Sequence, residues 1–132
     1  MKRSVLSACA AIVQKEIEFY AGFTCLEYDV NDENTMRVAG TGIFRSIIYA
    51  NENQPYSAIE QAKTDRKPVF VRNRNSSICR KCSTNRICTG KAEVVVPLYI
   101  RQAFLGTLSV LCYDEKIHRD MLEHTEYYKN LA

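Results

Sequence analysis

Three cysteines of this 132-residue chain have the spacing for chemistry: Cys79, Cys82 and Cys88, set as C-x2-C-x5-C. Two thiolates separated by two residues can turn toward one ion, and this is the usual spacing of half a zinc site. A structural zinc site takes four ligands, so the segment supplies three. The fourth would come from Cys25, Cys112, His118, His124 or a neighbouring chain. An iron–sulfur cluster held by thiolates has the same deficit of one. Arg80, Lys81 and Arg86 lie among these cysteines, and positive charge lowers a thiol pKa, so a redox switch is the second expectation. The third is that the three cysteines sit in a surface loop and bind nothing. Cys9, Cys25 and Cys112 fall in apolar stretches and read as core residues, as free cysteine buries well.

The same segment is strongly basic. From Lys63 to Lys91 there are nine positive residues and one negative, Asp65, a net of +8 against −5 for the rest of the chain. A positive patch attracts nucleic acid, but Phe70 is the segment's one aromatic residue for stacking on bases, and no helix-turn-helix or zinc-finger spacing follows. An anionic small molecule or a solvated face fits at least as well. Thr89-Gly90-Lys91-Ala92 approaches the end of a phosphate-binding loop, yet Asn85 stands where the first glycine belongs and Ala92 where a hydroxyl belongs. His118 and His124 fall on a polar C-terminal segment and read as surface residues rather than general bases. Asp32-Glu33 reads as a solvated turn.

The chain is 46% apolar and 25% charged, the composition of an ordinary globular domain, and its length suits a single one over 1–132. No apolar run reaches the ~18–20 residues of a membrane helix. The start, Met1-Lys2-Arg3 and then an apolar stretch around Cys9, superficially suggests a secretion signal. The apolar region before Cys9 is too short for one. Its periodicity instead predicts an amphipathic N-terminal helix over 1–20, with Val5, Cys9, Ile12 and Leu6, Val13, Ile17, Tyr20 on its apolar side. The expected compartment is therefore the cytoplasm, with no membrane partner.

Beyond this helix Gly22 breaks the pattern. Residues 23–28 read as a strand, 31–34 as a turn and 35–39 as the returning strand, ended by Gly40-Thr41-Gly42. Residues 43–56 give a mixed signal. Ser57-Ala58-Ile59-Glu60 matches a capping box that opens a short helix to about Thr64. A strand over 67–72 follows, with Pro68 at its start. The polar stretch 73–91, which carries the cysteines, exceeds the length of most structureless connections and so marks a functional or disordered loop. Residues 94–100 and 105–112 are the strongest strand signals and form a central hairpin. A helix over 115–132 closes the chain. This order predicts an α+β domain, an antiparallel sheet with helices packed on it.

Arg37-Val38-Ala39-Gly40-Thr41-Gly42, Lys67-Pro68-Val69, the three cysteines, Lys91-Ala92-Glu93, Val96-Pro97-Leu98 and Phe104-Leu105-Gly106-Thr107-Leu108 come in a suggestive order. Over roughly residues 20–115 this pattern resembles the N-terminal sensory domains of bacterial sigma-54-dependent transcriptional activators, which are GAF/PAS-like. The turn glycine usual before Gly106 is replaced here by Gln102-Ala103. The resemblance implies a GAF/PAS-like fold, a ligand- or redox-sensing role without catalysis, and ATPase and DNA-binding modules downstream in a full-length protein. It names no particular ligand. Gly40, Thr41, Gly42, Arg72 and Arg74 are the candidate contacts to an unknown small-molecule ligand, and Cys79, Cys82 and Cys88 the candidate metal or redox residues, for zinc or an iron–sulfur cluster. The first and last helices are candidates for a homodimer interface, the last also for passing the signal onward. Two other readings compete. The free methionine-(R)-sulfoxide reductases share the GAF fold and use cysteines, though theirs are more dispersed. A zinc-dependent nucleic-acid module would use the basic segment.

Overall fold

The computed structural model describes residues 4–48, 58–71, 91–114, 116, 119, 123 and 124. Arg72, Arg74, Cys79, Cys82 and Cys88 lie outside the described residues, as do Ser57 and His118.

Five antiparallel strands form one sheet in the order β2-β1-β5-β4-β3. They are β1 (Glu27–Asp32), β2 (Arg37–Gly40), β3 (Val69–Val71), β4 (Ala92–Ile100) and β5 (Ala103–Cys112). The expected central hairpin is β4–β5, paired from Ala92↔Cys112 to Ile100↔Ala103. Together with the helices this is the α+β architecture anticipated from the element order.

The N-terminal helix differs from expectation in three ways. It is two helices, α1 (Val5–Ala8) and α2 (Ala10–Thr24), separated at Cys9, whose φ of −112° and ψ of 21° are not helical. Ser4 starts α1 by accepting the Ser7 N–H at 3.0 Å, which satisfies one of the free amides of a helix start. Gly22 does not end α2. Phe19, Tyr20 and Phe23 pack ring against ring, with centroids 5.3–5.7 Å apart, and the Thr24 hydroxyl donates to the Tyr20 carbonyl at 2.7 Å. These contacts need helical spacing, so Phe23 and Thr24 join the helix instead of opening a strand. Cys25 then stops it in the left-handed conformation at φ 59°. The apolar face also turns out narrower. Leu6, Val13 and Ile17 pack inward, whereas Val5, Ile12 and Tyr20 are exposed.

The helices α1 and α2 cover one face of the sheet. There Leu6 and Ile17 meet Tyr28, Val30, Val94, Val110 and Cys112, the alternate residues of β1, β4 and β5. Gln14 fastens α2 to the β2 edge, its amide donating to the Gly40 carbonyl and its carbonyl accepting the Gly40 N–H, both at 2.9 Å. The other face is covered at both sides of the sheet. Over β3 and β4 lies α3 (Ala58–Asp65), where Ala58, Ile59 and Ala62 pack on Val69, Val71 and Val95. Over β2 lies a 3-10 helix (Gly42–Ile47) that seats Phe44 against the strand. Between the two, the floor of β1 and β5 is mainly polar, with Leu111 as a buried apolar residue at its Glu27 end.

The β1–β2 turn is built by Asp32, which sequence alone suggests is a solvated turn residue. It is 6% exposed and ends β1, and one carboxylate oxygen accepts the N–H groups of Asn34 at 2.9 Å and Met36 at 3.0 Å. Lys116, Arg119 and Glu123 are helical and exposed, within the helix anticipated over 115–132. No helix among the described residues is long and apolar enough to cross a membrane.

Candidate functional site

The polar floor begins with a bulge. β1 pairs with β2 through Asp29↔Gly40, Val30↔Ala39 and Asn31↔Arg37, so Val38 is an extra residue without a partner in the ladder. An inserted residue reverses the alternation of the strand beyond it. Here it puts Val38 and Ala39 both into the helix-covered core and turns Arg37 to the opposite face, beside Asp29 and Asn31. Arg37 then donates to both Asp29 carboxylate oxygens, from Nε at 2.6 Å and Nη2 at 3.2 Å. Both residues are almost fully buried, and the guanidinium carbon lies 5.0 Å above the Phe44 ring. Phe44 comes this close because Gly40 has no side chain; a Cβ there would lie 2.6 Å from the Phe44 Cβ.

Along the centre of the same face run Asn31 on β1 and Thr107 and Ser109 on β5. Asn31 stands opposite Thr107, and Asp29 opposite Ser109. All three are at least 97% buried. Among the described residues, Asn31 Nδ2, Thr107 Oγ1 and Ser109 Oγ have no hydrogen-bond partner. A buried polar atom left without one costs about 1–3 kcal/mol. Three neighbouring cases on one face therefore suggest a missing partner rather than an accident of packing.

Glu93 on β4 completes the floor. Burial pushes its carboxyl up to about 8, with the nearby Asp29 charge adding to the rise and Arg37 opposing it. The carboxyl is thus a neutral hydrogen-bond donor at neutral pH. Its effect on stability has a definite sign. Unfolded, the group titrates near its ordinary 4.5, so between pH 4.5 and 8 the folded chain binds the extra proton. Its stabilising contribution is therefore complete below pH 4.5 and is lost as pH rises toward 8. Each pKa unit carries about 1.4 kcal/mol, and water reaching this partly buried group lowers the total, so the expected loss is about 2 kcal/mol. Melting temperatures from pH 5 to 9 check this: the wild type is expected to decline, and Glu93→Gln, which stays neutral, to decline less.

At one end of the floor the sheet opens into a cleft of about 440 Å³ lined by Cys25, Glu27, Gly42, Ile43, Tyr113 and Asp114. The candidate residues Gly40, Thr41 and Gly42 divide here. Gly40 is held by Gln14 and pressed by Phe44. Thr41 is a buried clasp: its hydroxyl donates to the Glu27 carboxylate and accepts the Tyr28 N–H at 2.8 Å. Gly42 lines the cleft, at a φ of +57° and with the Glu27 carboxylate against it. Cys25 is exposed there and not part of the core, a consequence of its place just past the end of α2. Cys112 is buried as expected; burial raises its pKa, and its thiol donates to the Asp114 carbonyl at 3.0 Å. No group of three metal-ligating side chains occurs among the described residues.

Sequence reasoning missed the residues of the floor. The alternation of Asp29 and Asn31 with Tyr28 and Val30 was a usable signal for two of them. For Arg37 the bulge removed the signal.

No family model matches the chain. A protein of Escherichia coli K12 named as a uric acid sigma-54-dependent transcriptional regulator, UacR, is 23% identical over 98% of this chain. The chain spans 23% of that regulator's length. Among solved structures, a GAF domain of an Acinetobacter phosphoenolpyruvate-protein phosphotransferase matches with a TM-score of 0.55 at 13% identity, over 96% of this chain and 82% of the other. A GAF domain/HD domain protein of Geobacter sulfurreducens matches at 0.53 and 11% identity, over 92% and 91%. A type II free methionine-R-sulfoxide reductase of Thermoplasma acidophilum matches at 0.59 and 14% identity, over 89% and 86%. A reductase and the GAF domains of other proteins thus share this fold, and the fold does not separate their roles. The chain has a GAF-like fold and is similar, along nearly its whole length, to part of a sigma-54-dependent transcriptional regulator.

Proposed function

We propose that the chain is the input domain of a sigma-54-type regulator, that it binds a small polar molecule on the β1–β5 floor, and that it performs no catalysis itself. The observation that carries this reading is the row of buried, unpartnered polar atoms on Asn31, Thr107 and Ser109, on the sheet face opposite α1 and α2. A face built to bind nothing would fill these positions with apolar side chains, as the α2-covered face does. The relative's name puts uric acid, an anion at neutral pH, among the compounds to try.

In this reading ATPase and DNA-binding modules follow in the full-length protein, which works in the cytoplasm. The exposed cluster of Phe19, Tyr20 and Phe23 on α2 supports a homodimer through the N-terminal helix. The C-x2-C-x5-C spacing supports a second, metal- or thiol-based input at Cys79, Cys82 and Cys88, with Arg72 and Arg74 in the same basic segment as ligand contacts. Metal and iron analysis of anaerobically purified protein, before and after Cys79→Ser, tests the cysteine part.

Calorimetric titration of the full chain with uric acid and a panel of polar metabolites tests the main reading. The expected result is saturable binding by one compound, weakened by Thr107→Val and without turnover. The reductase alternative has one observation in its favour, an exposed Cys25 at the cleft beside the floor, on a fold that such an enzyme shares. Thiol-dependent consumption of free methionine sulfoxide, abolished by Cys25→Ser or Cys88→Ser, would replace the sensor reading with it.

A further inference from the structure

We infer that the molecule bound on the floor is an uncharged compound of one or two rings, with carbonyl and N–H groups side by side on its edge, of lactam or ureide type. The inference rests on the sensor reading and narrows its ligand to a chemical class.

Charge comes first. The one arginine and the one fully buried carboxylate of the floor are already joined by two hydrogen bonds, so the pair is close to neutral as a unit. An anion placed beside it would face Asp29 and need an arginine already committed to that residue. A cation would compete with Arg37 for Asp29. Glu93, held protonated by its surroundings, adds no charge at neutral pH. The basic segment from Lys63 to Lys91 suggests an anionic ligand; the floor does not.

The unpartnered atoms then specify the functional groups. Asn31 Nδ2 only donates, so its counterpart must be an acceptor such as a carbonyl oxygen. The hydroxyls of Thr107 and Ser109 each donate and accept, and so can receive an N–H as well as serve a carbonyl. A neutral molecule with alternating C=O and N–H groups satisfies all three at once. A molecule that only accepts, such as an ether or an inorganic anion, leaves hydroxyl lone pairs unused.

Spacing sets the size. Asn31 and Thr107 are directly opposite on adjacent strands, about 5 Å apart at Cβ. Ser109 is the next residue on that face of β5, about 7 Å along the strand. A triangle of this size suits the edge of a single or fused pair of rings. Val95 stands beside Ser109 on β4, and Phe44 lies on the β2 side.

The test is calorimetric titration of the full chain at pH 7 with two sets of probes. Uracil, hydantoin and xanthine are neutral and carry the required edge; urate, which is an anion at pH 7, orotate and inorganic phosphate form the charged set. The expected result is binding by at least one neutral probe and by none of the anions. Thr107→Val and Ser109→Ala, both small changes, should each weaken that binding about tenfold, and Asn31→Leu more. Thermal melts of the variants confirm that they fold, and lost binding then reports the site. Binding of an anion that is weakened by the same substitutions would overturn the ligand class and leave the sensor reading standing. Binding of no probe, with Thr107→Val and Ser109→Ala raising the melting temperature, would overturn both, the three atoms then being a buried-water or simple packing cost.

Discussion

Replacing Arg37 with methionine is expected to destabilise the fold by about 3–5 kcal/mol, while replacing Arg37 and Asp29 together costs far less. The single change removes two hydrogen bonds and leaves the Asp29 carboxylate 99% buried without its counter-charge. That uncompensated charge, rather than the lost attraction, is the larger part of the penalty. The double replacement Asp29→Leu with Arg37→Met removes both charges from the interior, and exchanges of this kind are often neutral or stabilising. Denaturant unfolding of the four proteins in a double-mutant cycle checks the prediction. Equal losses in the single and double variants would mean that Arg37 acts through its packing over Phe44. The same cycle also bears on Glu93. Arg37 opposes the rise in its pKa, so in Arg37→Met the decline in stability should still begin near pH 4.5 but extend to higher pH.

A protein does not need this pair to be stable, and its presence therefore suggests another use. The face covered by α1 and α2 shows that the chain can build an apolar core from alternate residues of β1, β4 and β5. On the opposite face the apolar surface stops at α3 on one side and at Phe44 on the other, and the central strands carry Asp29, Asn31, Thr107 and Ser109 instead. The pair holds a polar floor in fixed geometry, and on the proposed reading its internal neutrality leaves the hydrogen-bonding groups beside it to select a ligand.

The sequence and the structure agree most where local signals suffice. Val94-Val95-Val96 and the run from Leu105 to Cys112 are β-rich and bounded by a short turn, so β4 and β5 were legible. Two kinds of information were not local. One is the bulge at Val38: alternation read straight along β2 puts Arg37 into the apolar core, and only the pairing with β1 shows otherwise. The other is the end of α2. Gly22 is a weak helix former, and its local cost of about 1 kcal/mol predicts a break. The aromatic contacts three and four residues apart and the Thr24 hydrogen bond offset that cost. Thr41 is a candidate ligand contact from its sequence position, and in the structure its hydroxyl closes the β1 end of the sheet through Glu27 and Tyr28.

Gly106→Ala is expected to be among the most damaging single substitutions in the chain, costing about 3 kcal/mol or more. Gly106 sits at φ +150° on β5, opposite Asp32 of β1, in a conformation that side-chain-bearing residues rarely adopt. A Cβ there would lie 2.0 Å from the Asn31 carbonyl oxygen and 2.9 Å from the Asp32 Cα. Both are main-chain atoms in the central strand pair, so relief requires β1 to move away from β5. A Leu6 methyl carbon at 2.8 Å closes the remaining space. The displacement would reach Asn31 and Thr107, one pair further along, and so should abolish ligand binding in whatever fraction still folds. Gly42→Ala gives the contrast. It also has a positive φ, but its Cβ would meet the end of the Glu27 side chain at 2.9 Å, which can swing into the cleft. Its expected cost is about 2 kcal/mol, from the left-handed backbone and from the Thr41–Glu27 hydrogen bond that the swing gives up. Urea unfolding of the two variants separates the cases. A Gly106→Ala protein within about 1 kcal/mol of the wild type would mean that β1 and β5 are not held together as closely as their pairing requires.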